Sequence, residues 1–310
     1  MYNRLKLTVS IYHIQEILNF MKTAIITDSN SGITQAEAEK LGITVIPMPV
    51  LIDGDIFYED LTLSQEQFYE KLKANANVST SQPNPVDVGE IWSKLLKEYD
   101  EIICIPMSSG LSETCHTLSH FAESEDKFNG KVYVVDNQRI SITQRQSVYD
   151  ALKMANEGKT AKQIYDYLMQ TKMQSSIYIM VATLKYLKKG GRLTPAVAAI
   201  GTLLKIKPVL QIQGEKLDQY AKVRKVSDAK STMIKAIKHD LETRFADLRQ
   251  QGKIVLSLAH TENIEEIEKF KEEVLEEFPD LEVRFVDPLS LSVSCHIGPG
   301  ALAIACSVKY

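Results

Sequence analysis

The sequence lacks most of the patterns that mark metal, nucleotide or redox chemistry. Its 310 residues include only four cysteines, which form no Cys-x-x-Cys pair, and six histidines that are scattered without the spacing of metal ligands. Neither Gly-x-Gly-x-x-Gly nor the P-loop pattern occurs, which argues against dinucleotide or nucleotide binding and against kinase chemistry in this chain. We therefore expect no metal ion and no cofactor.

The chain also lacks an excess of positive charge. Its formal net charge is −4 and its pI is about 5.9, whereas nucleic-acid-binding domains usually carry a strongly basic face. Nucleic acid is therefore not an expected partner. The four cysteines lie mostly in apolar runs, which predicts buried thiols in a reducing compartment.

Long hydrophobic runs are missing as well. Polar side chains interrupt residues 1–20, so no signal peptide is predicted there, and the run 195–204 is too short to span a bilayer. Met21 stands directly before an apolar strand, so residues 1–20 are interpreted as an N-terminal extension. These features predict a cytoplasmic protein.

What is present is a regular alternation of short apolar runs and amphipathic stretches. From residue 21 to 172 this pattern predicts an α/β domain with a parallel sheet, and from 173 to 310 it predicts an α+β domain with a mixed sheet. The predicted strands are Thr23–Thr27, Thr44–Leu51, Glu101–Pro106, Lys131–Val135, Tyr178–Ala182, Pro208–Gln213, Lys216–Lys222, Lys253–Ala259, Glu282–Val286 and Ala301–Ser307. The predicted helices are Thr34–Leu41, Ser64–Ala74, Pro85–Leu96, Leu111–Ser124, Ala161–Lys172, Asp228–Gln250 and Ile264–Phe278. Thr34 and Ser64 are expected to begin capping boxes.

Three short polar segments, far apart in the chain, share one chemistry. They are Thr80-Ser81-Gln82-Pro83, Ser108-Ser109-Gly110-Leu111-Ser112 and Ser294-Cys295-His296-Ile297-Gly298-Pro299-Gly300. Each offers hydroxyls, backbone amides or an imidazole with no acidic partner beside it, which indicates a site for a small anion such as a carboxylate. Each also has an ordinary structural interpretation: Ser112 as a helix cap, Pro85 as a helix start, and His296 as part of a glycine- and proline-rich turn.

Two further interpretations stay open at this point. Ser109, Asp136 and His296 follow the order of a hydrolase triad, although the sequence lacks Gly-x-Ser-x-Gly. The basic turn Lys188-Lys189-Gly190-Gly191-Arg192 is either a solvated hairpin or a surface that reaches a phosphate or an acidic partner. Arg192 is its best candidate for binding an oxyanion, because a guanidinium binds oxyanions with two hydrogen bonds.

Together these segments resemble the DegV family, bacterial proteins that bind fatty acids and include the lipid-binding subunits of fatty acid kinase. The resemblance runs from Met21 to about Tyr310. It is carried by Ile25-Ile26-Thr27-Asp28-Ser29, Thr80-Ser81-Gln82-Pro83, Ser108-Ser109-Gly110-Leu111-Ser112, Val134-Val135-Asp136, Leu187-Lys188-Lys189-Gly190-Gly191-Arg192, Ile206-Lys207-Pro208-Val209-Leu210 and His296-Ile297-Gly298-Pro299-Gly300.

The resemblance implies a two-domain fold with a long-chain fatty acid between the domains. It implies that Thr80 or Ser81, Ser108 or Ser109, and His296 hold the carboxylate. Arg192 of the basic turn is a further candidate for ligand binding. The resemblance further implies a non-catalytic subunit that presents the acid to a separate ATP-dependent fatty acid kinase, and it allows transient contact with a membrane surface. A serine-dependent hydrolase or acyltransferase and a lipid-sensing regulator are the alternatives.

Three positions depart from the family pattern. Glu113 stands where a glycine is usual, Asn137 replaces a common serine, and Arg145 lies where the family tends to have small residues. Arg145 is expected to be the most disruptive, because helix packing beside an acyl tail favours small or apolar side chains. Either the tail selectivity differs here, or the ligand is not a common fatty acid.

Overall fold

A computed structural model describes residues 21–192, 206–214 and 217–310. The strands are β1 (Thr23–Asp28), β2 (Thr44–Ile46), β3 (Pro49–Ile52), β4 (Asp55–Tyr58), β5 (Val78–Thr80), β6 (Glu101–Ile105), β7 (Val132–Val134), β8 (Ser175–Met180), β9 (Lys207–Ile212), β10 (Leu217–Val223), β11 (Ile254–His260), β12 (Val283–Pro288) and β13 (Leu302–Val308). The helices are α1 (Gln35–Leu41), α2 (Gln65–Lys73), α3 (Pro85–Leu95), α4 (Thr114–Ser124), α5 (Ser141–Asn156), α6 (Ala161–Gln170), α7 (Lys185–Lys189), α8 (Val226–Glu242), α9 (Ala246–Gln250), α10 (Ile264–Glu277) and α11 (Leu291–Ile297). A short 3₁₀ helix, Ser29–Ser31, follows β1.

The N-terminal half is built on a parallel sheet with strand order β2-β1-β6-β7. Alternate residues of each strand point to opposite faces, so Ile26 and Ile102 join the core beneath α3 and α4. Ile25 and Ile103 join the core beneath α1, α5 and α6 on the other face. Both faces of the sheet are therefore covered by helices, as parallel sheets require.

The C-terminal half is built on a mixed sheet with strand order β10-β9-β8-β13-β11-β12. One face packs against α8 and α10. The other face shares a core with Met107, Ile140 and Ile142, which belong to the N-terminal half. This second face is therefore the interface between the two halves.

A small antiparallel sheet, β4-β3-β5, joins the halves a second time. Its side chains Val50 and Val78 share a core with Leu291 and Cys295 of α11. Helix α11 follows β12 in the chain, yet it packs into the N-terminal half. Tyr69 strengthens this contact, because its hydroxyl donates a hydrogen bond to Ser294 Oγ at 3.0 Å.

The architecture confirms the predicted α/β fold with a parallel sheet and a separate mixed sheet, and the chain passes from one sheet to the other between α6 and β8. The structure shows the four cysteines to be buried free thiols, as predicted. It contradicts the single strand Thr44–Leu51, which is divided into β2 and β3. Pro47 stands at the break and has no backbone N–H to donate to a sheet.

Several helix predictions also need correction. The helix expected from Leu111 begins at Thr114, and the helix expected over Asp228–Gln250 is divided into α8 and α9. At that division the backbone N–H groups of Thr243 and Phe245 both donate to the carbonyl oxygen of Asp240, so the helical ladder is interrupted. The structure also contains a helix over Ser141–Asn156 that the sequence pattern did not predict, and Lys188 and Lys189 of the basic turn belong to a short helix, α7.

The capping predictions differ in outcome. Ser64 and Gln67 form a complete capping box. Thr34 accepts a hydrogen bond from the N–H of Glu37, but the Glu37 carboxylate bonds to Arg145 and Tyr149 instead of returning to the cap.

The expected N-terminal extension 1–20 and the apolar run 195–204 lie outside the described residues, as does the first residue of the strand expected from Lys216. Within the described ranges no helix has both the length and the hydrophobicity needed to span a membrane. The same ranges contain no group of three His, Cys, Asp or Glu side chains arranged to hold a metal ion.

Candidate functional site

An apolar cavity of about 340 Å³ lies between the two halves of the chain. This volume falls in the range of small-molecule sites in proteins, which are mostly apolar with a few polar groups that fix orientation. We call it the interdomain cavity. Its apolar wall is formed by Met48, Met107, Leu111, Ile140, Ile142, Ile177, Ile179, Leu187, Ile212, Leu217, Ala259, Leu289, Val293, Ile297 and Ala303.

The mixed sheet supplies the floor of the cavity. Ile177 of β8 lies opposite Ile212 of β9, which lies opposite Leu217 of β10, so the three side chains form one row across the sheet. The next row includes Ile179 opposite Ala303 of β13. Because residues two apart in a strand share a face, the two rows present a continuous apolar surface.

Polar side chains form one part of the wall. Thr80, Ser81 and Gln82 extend from the end of β5, His296 lies in the last turn of α11, and Arg192 follows α7. Thr80 Oγ1 and His296 Nε2 share a hydrogen bond of 2.9 Å. Thr80, Ser81, Arg192 and His296, four of the six predicted site residues, therefore line a single cavity.

His296 occupies the end of a helix, and this corrects the expectation that it lies in a glycine- and proline-rich turn. The turn begins one residue after α11, at Gly298, whose φ of +75° favours glycine. Gly298 also has to be glycine for packing, because a Cβ there would lie 2.2 Å from the ring of Tyr186. The short helix fixes the direction of the imidazole more firmly than a turn would.

The imidazole of His296 is neutral at pH 7. Burial, and secondly the nearby Arg192 guanidinium, lowers the pKa of His296 to about 4. Its Nδ1 atom is buried and has no hydrogen-bond partner among the residues that the structure describes. The backbone of Gly190 presses against this edge of the ring, since a Cβ on Gly190 would lie 2.0 Å from Nδ1.

The Ser108–Ser112 segment contributes differently from what the sequence indicated. The residues that line the cavity are Leu111, Ser112 and the following Glu113, whereas Ser108 and Ser109 are not part of the wall. Ser108 is fully buried, and its Oγ accepts a hydrogen bond from the N–H of Gly110. The two serines therefore stabilise the loop by hydrogen bonds and do not line the cavity.

Ser109 has an acidic partner, which corrects the expectation that these segments have none. Its Oγ donates to Asp136 Oδ2 at 2.6 Å, and its N–H donates to Asp136 Oδ1 at 3.2 Å. A hydrolase triad would require His296 to stand between the two. Because His296 is bonded to Thr80 and Asp136 binds Ser109 directly, the triad order seen in the sequence is not a triad in space.

The start of α4 was expected to attract an anion. It begins at Thr114, and Glu113 occupies the cap position without a capping hydrogen bond from its side chain. Ser112 Oγ, which was interpreted as the possible cap, accepts a hydrogen bond from the N–H of Thr114 at 3.3 Å. A ligand carboxylate at this helix end would meet the Glu113 carboxylate, so the favourable anion position lies nearer Arg192 and His296.

Asn30, Ser141 and Ser292 are polar residues of the wall that lie outside the three predicted polar segments. Ser292 precedes His296 by one helical turn on α11, and its Oγ donates to Asn30 Oδ1. Asn30 Nδ2 donates to the sulfur of Met107. The i, i+4 spacing of Ser292 and His296 is the signal that was available in the sequence.

The remaining departures lie outside the cavity wall. Asn137 is buried and donates to Ser147 Oγ at 2.6 Å. Arg145 does not lie beside a tail, as was expected; its guanidinium binds Asp287 at 2.9 Å and also binds Glu37. Arg145 thus joins the two halves of the chain, and its size is accommodated by this ion pair.

Known proteins are similar to this chain in both sequence and fold. A family model described as "uncharacterised protein, DegV family" matches residues 22–309. A DegV domain-containing protein of Listeria innocua is 31% identical over 292 residues, covering 93% of this chain and 99% of that protein.

Two solved structures extend the similarity to three dimensions. A DegV family protein of Thermus thermophilus, described as binding fatty acid, has a TM-score of 0.83 at 27% identity and covers 93% of this chain and 100% of its own. DegV of Bacillus subtilis, described as a fatty acid binding protein, has a TM-score of 0.80 at 29% identity with the same coverage of both chains. With a family model that matches nearly its full length, this chain belongs to the DegV family.

Proposed function

We propose that this protein binds a long-chain fatty acid in the interdomain cavity. The observation that carries the proposal is the composition of the cavity wall, a mainly apolar surface with hydroxyl, amide, imidazole and guanidinium side chains and one carboxylate, that of Glu113 at the start of α4. Thr80, Ser81 and His296 offer neutral partners for the carboxylate, and Arg192 adds one positive charge. The two solved family structures described as fatty acid binding support the same ligand class.

The acyl tail supplies most of the proposed affinity. Burying about 14 methylenes at roughly 0.8 kcal/mol each gives a gross driving force near 11 kcal/mol before the costs of ordering are subtracted. The head group then needs only to have its hydrogen bonds satisfied. Hydroxyls and a neutral imidazole can do this without holding both carboxylate oxygens.

We assign the predicted head-group residues two roles. Thr80, Ser81, Arg192 and His296 contact the carboxylate, because all four line the cavity. Ser108 and Ser109 hold the loop that brings Ser112 to the wall, since their polar atoms are bonded within the protein.

The bound acid is proposed to be the substrate of a separate ATP-dependent fatty acid kinase that forms an acyl phosphate. Lys188, Lys189 and Arg192 are exposed beside the polar part of the wall, so a partner that reaches the carboxylate would meet a cationic surface. In this proposal the chain itself is not catalytic. The direct Ser109–Asp136 contact, without an imidazole between them, gives no support to the hydrolase alternative.

Competition against a fluorescent fatty acid tests the binding step. After removal of co-purified lipid, we expect palmitate and oleate to displace the probe, and Thr80→Ala to weaken binding by about tenfold through loss of a hydrogen bond to a charged group. Thr232→Ala is the matched control, because the Thr232 hydroxyl bonds to a carbonyl of its own helix, α8. Equal weakening by both variants, or no displacement at all, would contradict the proposal.

Trapping with hydroxylamine tests the second step. The lipid-loaded protein is incubated with ATP and a bacterial fatty acid kinase, and the acyl hydroxamate is measured. Acyl phosphate formation supports delivery to a kinase. Tight lipid binding without acyl phosphate formation would instead favour the lipid-sensing regulator, and ester turnover that Ser109→Ala abolishes would favour the hydrolase.

A further inference from the structure

A second concave surface lies at the seam between the two halves of the chain, away from the interdomain cavity. It has a volume of about 620 Å³, and we call it the basic groove. Its cationic side chains are Lys40 of α1, Lys153 of α5, Arg284 of β12 and Lys309 after β13. Both halves therefore contribute two positive charges to one surface.

Helix α5 separates the basic groove from the interdomain cavity. Its first residues, Ser141 and Ile142, line the cavity, while Tyr149 and Lys153 line the groove. A rise of 1.5 Å per residue places Tyr149 about 12 Å along the helix from Ser141. A ligand in the groove would therefore not occupy the space proposed for the fatty acid.

Arg284 is the residue that points to a ligand. Its Cζ atom lies 5.3 and 5.5 Å from the ring centroids of Tyr149 and Phe285, within the range of cation–π contacts. It is half-buried, yet within the described residues it has no ion pair and no hydrogen bond. A guanidinium that makes cation–π contacts and no hydrogen bond keeps N–H donors that can bind an oxyanion.

The other cations of the groove are also little neutralised. Lys153 Nζ donates to the main-chain oxygen of Tyr310 at 3.2 Å, and Lys309 lies 3.6 Å from Glu282. Among the described side chains Lys40 has no ion pair. The positive charge of the groove therefore exceeds what neighbouring carboxylates cancel.

One acidic side chain, Asp150, belongs to the groove wall. It is 3% exposed, and its Oδ1 accepts hydrogen bonds from the N–H of Tyr310 and from Gln146. Burial raises the pKa of Asp150, and the nearby guanidinium groups of Arg139 and Arg284 oppose this rise. Asp150 thus lies beneath the groove surface rather than at it.

We propose that the basic groove binds a small phosphate-bearing anion that bridges the two halves of the protein. The Arg284 guanidinium would donate hydrogen bonds to two phosphate oxygens, and Lys40, Lys153 and Lys309 would act as point charges around them. The rings of Tyr149 and Tyr310 at the same surface could stack on a base if the phosphate belongs to a nucleotide. The proposal does not depend on the fatty acid assignment.

Calorimetric titration of the full chain at low ionic strength tests this inference. The probes are inorganic pyrophosphate and ADP. We expect saturable binding of pyrophosphate with one site per chain, and a loss of about tenfold or more in Arg284→Gln, since a charge-assisted pair of hydrogen bonds is removed. ADP binding that is tighter than pyrophosphate binding would assign the phosphate to a nucleotide, and equal or weaker binding would assign it to an anion without a base.

Two more variants keep the test decisive. Lys153→Gln removes one point charge from an exposed position and should weaken pyrophosphate binding by a smaller factor, so it tests the site if Arg284→Gln fails to fold. Lys269→Gln is the charge-matched control, because Lys269 is 64% exposed on α10 and lies outside the groove. The proposal is overturned if pyrophosphate gives no saturable binding, or if the groove variants bind it as tightly as the Lys269→Gln control.

Discussion

Substituting Gly190 by alanine should displace the His296 side chain from the cavity wall without straining the backbone. Gly190 has φ −78° and ψ −4°, a right-handed helical conformation that alanine adopts readily. The added Cβ, however, would lie 2.0 Å from His296 Nδ1 and 2.7 Å from Cε1. Either the imidazole or the end of α7 has to move, and a displaced imidazole would lose its 2.9 Å hydrogen bond to Thr80.

The expected cost appears mainly in ligand affinity. A hydrogen bond to a charged group contributes about 1.5–3 kcal/mol, so displacing His296 from the carboxylate should weaken fatty acid binding about ten- to a hundredfold. Stability to urea should also fall, because the added Cβ cannot fit beside the buried imidazole unless one of them shifts. Competition binding and urea unfolding of the same preparation measure the two effects separately.

Gly191→Ala is the matched control next to it in the chain. Gly191 has φ +68°, and nothing lies within 4 Å of the Cβ that alanine would add. This variant should therefore lose about 1 kcal/mol of stability through backbone strain and keep its affinity for fatty acid. Wild-type affinity in Gly190→Ala, or an equal loss in both variants, would refute the role given to His296.

Three further predictions concern stability and chain length. Ala303→Phe fills part of the cavity floor and should shift the co-purified acids to shorter chains, as measured by mass spectrometry of the extract; an unchanged profile would place the tail elsewhere. Arg145→Ala leaves the carboxylates of Glu37 and Asp287 without their partner and should cost about 3–5 kcal/mol in urea unfolding, a loss that Asp287→Asn in the same chain should partly restore. Burial raises the pKa of Glu59 from 4.5 to about 7, so its folded form binds the proton more tightly than the unfolded chain; stability should fall by about 3 kcal/mol as pH rises from 4.5 to 7, and Glu59→Gln should flatten this fall.

The sequence predicted the fold class because the relevant signals are local. Alternation of apolar residues in short runs is sufficient to indicate a sheet whose two faces are both buried, and Pro85 after Asn84 marked the start of α3 correctly. Element boundaries failed where tertiary contacts decide them. Phe245, for example, is buried in the core of the C-terminal half, at the point where α8 and α9 separate.

The site was predicted only in part, because residue types do not show where a side chain points. Thr80, Ser81, Arg192 and His296 do line one cavity, but the sequence could not show that the hydroxyl of Ser109 bonds to Asp136. That contact joins residues 27 positions apart through the ends of two neighbouring strand–loop units.

Arg145 is a second residue whose contacts could not be predicted from the sequence. A charged side chain is expected to be incompatible with an acyl tail. The guanidinium, however, binds Asp287, which lies 142 residues further along the chain, and Arg145 does not line the cavity. Long-range ion pairs of this kind cannot be inferred from local patterns. A departure from a family pattern therefore has to be located in the structure before it is assigned to the ligand.

Native mass spectrometry of the purified protein, followed by organic extraction, tests the central claim most directly. The account predicts one bound acid per chain, with a mass of roughly 250–290 Da that corresponds to about 16 to 18 carbons, since tails of this length bury enough surface to survive purification. A protein that carries no lipid and also fails to bind added palmitate or oleate would contradict the assignment of the interdomain cavity to a fatty acid.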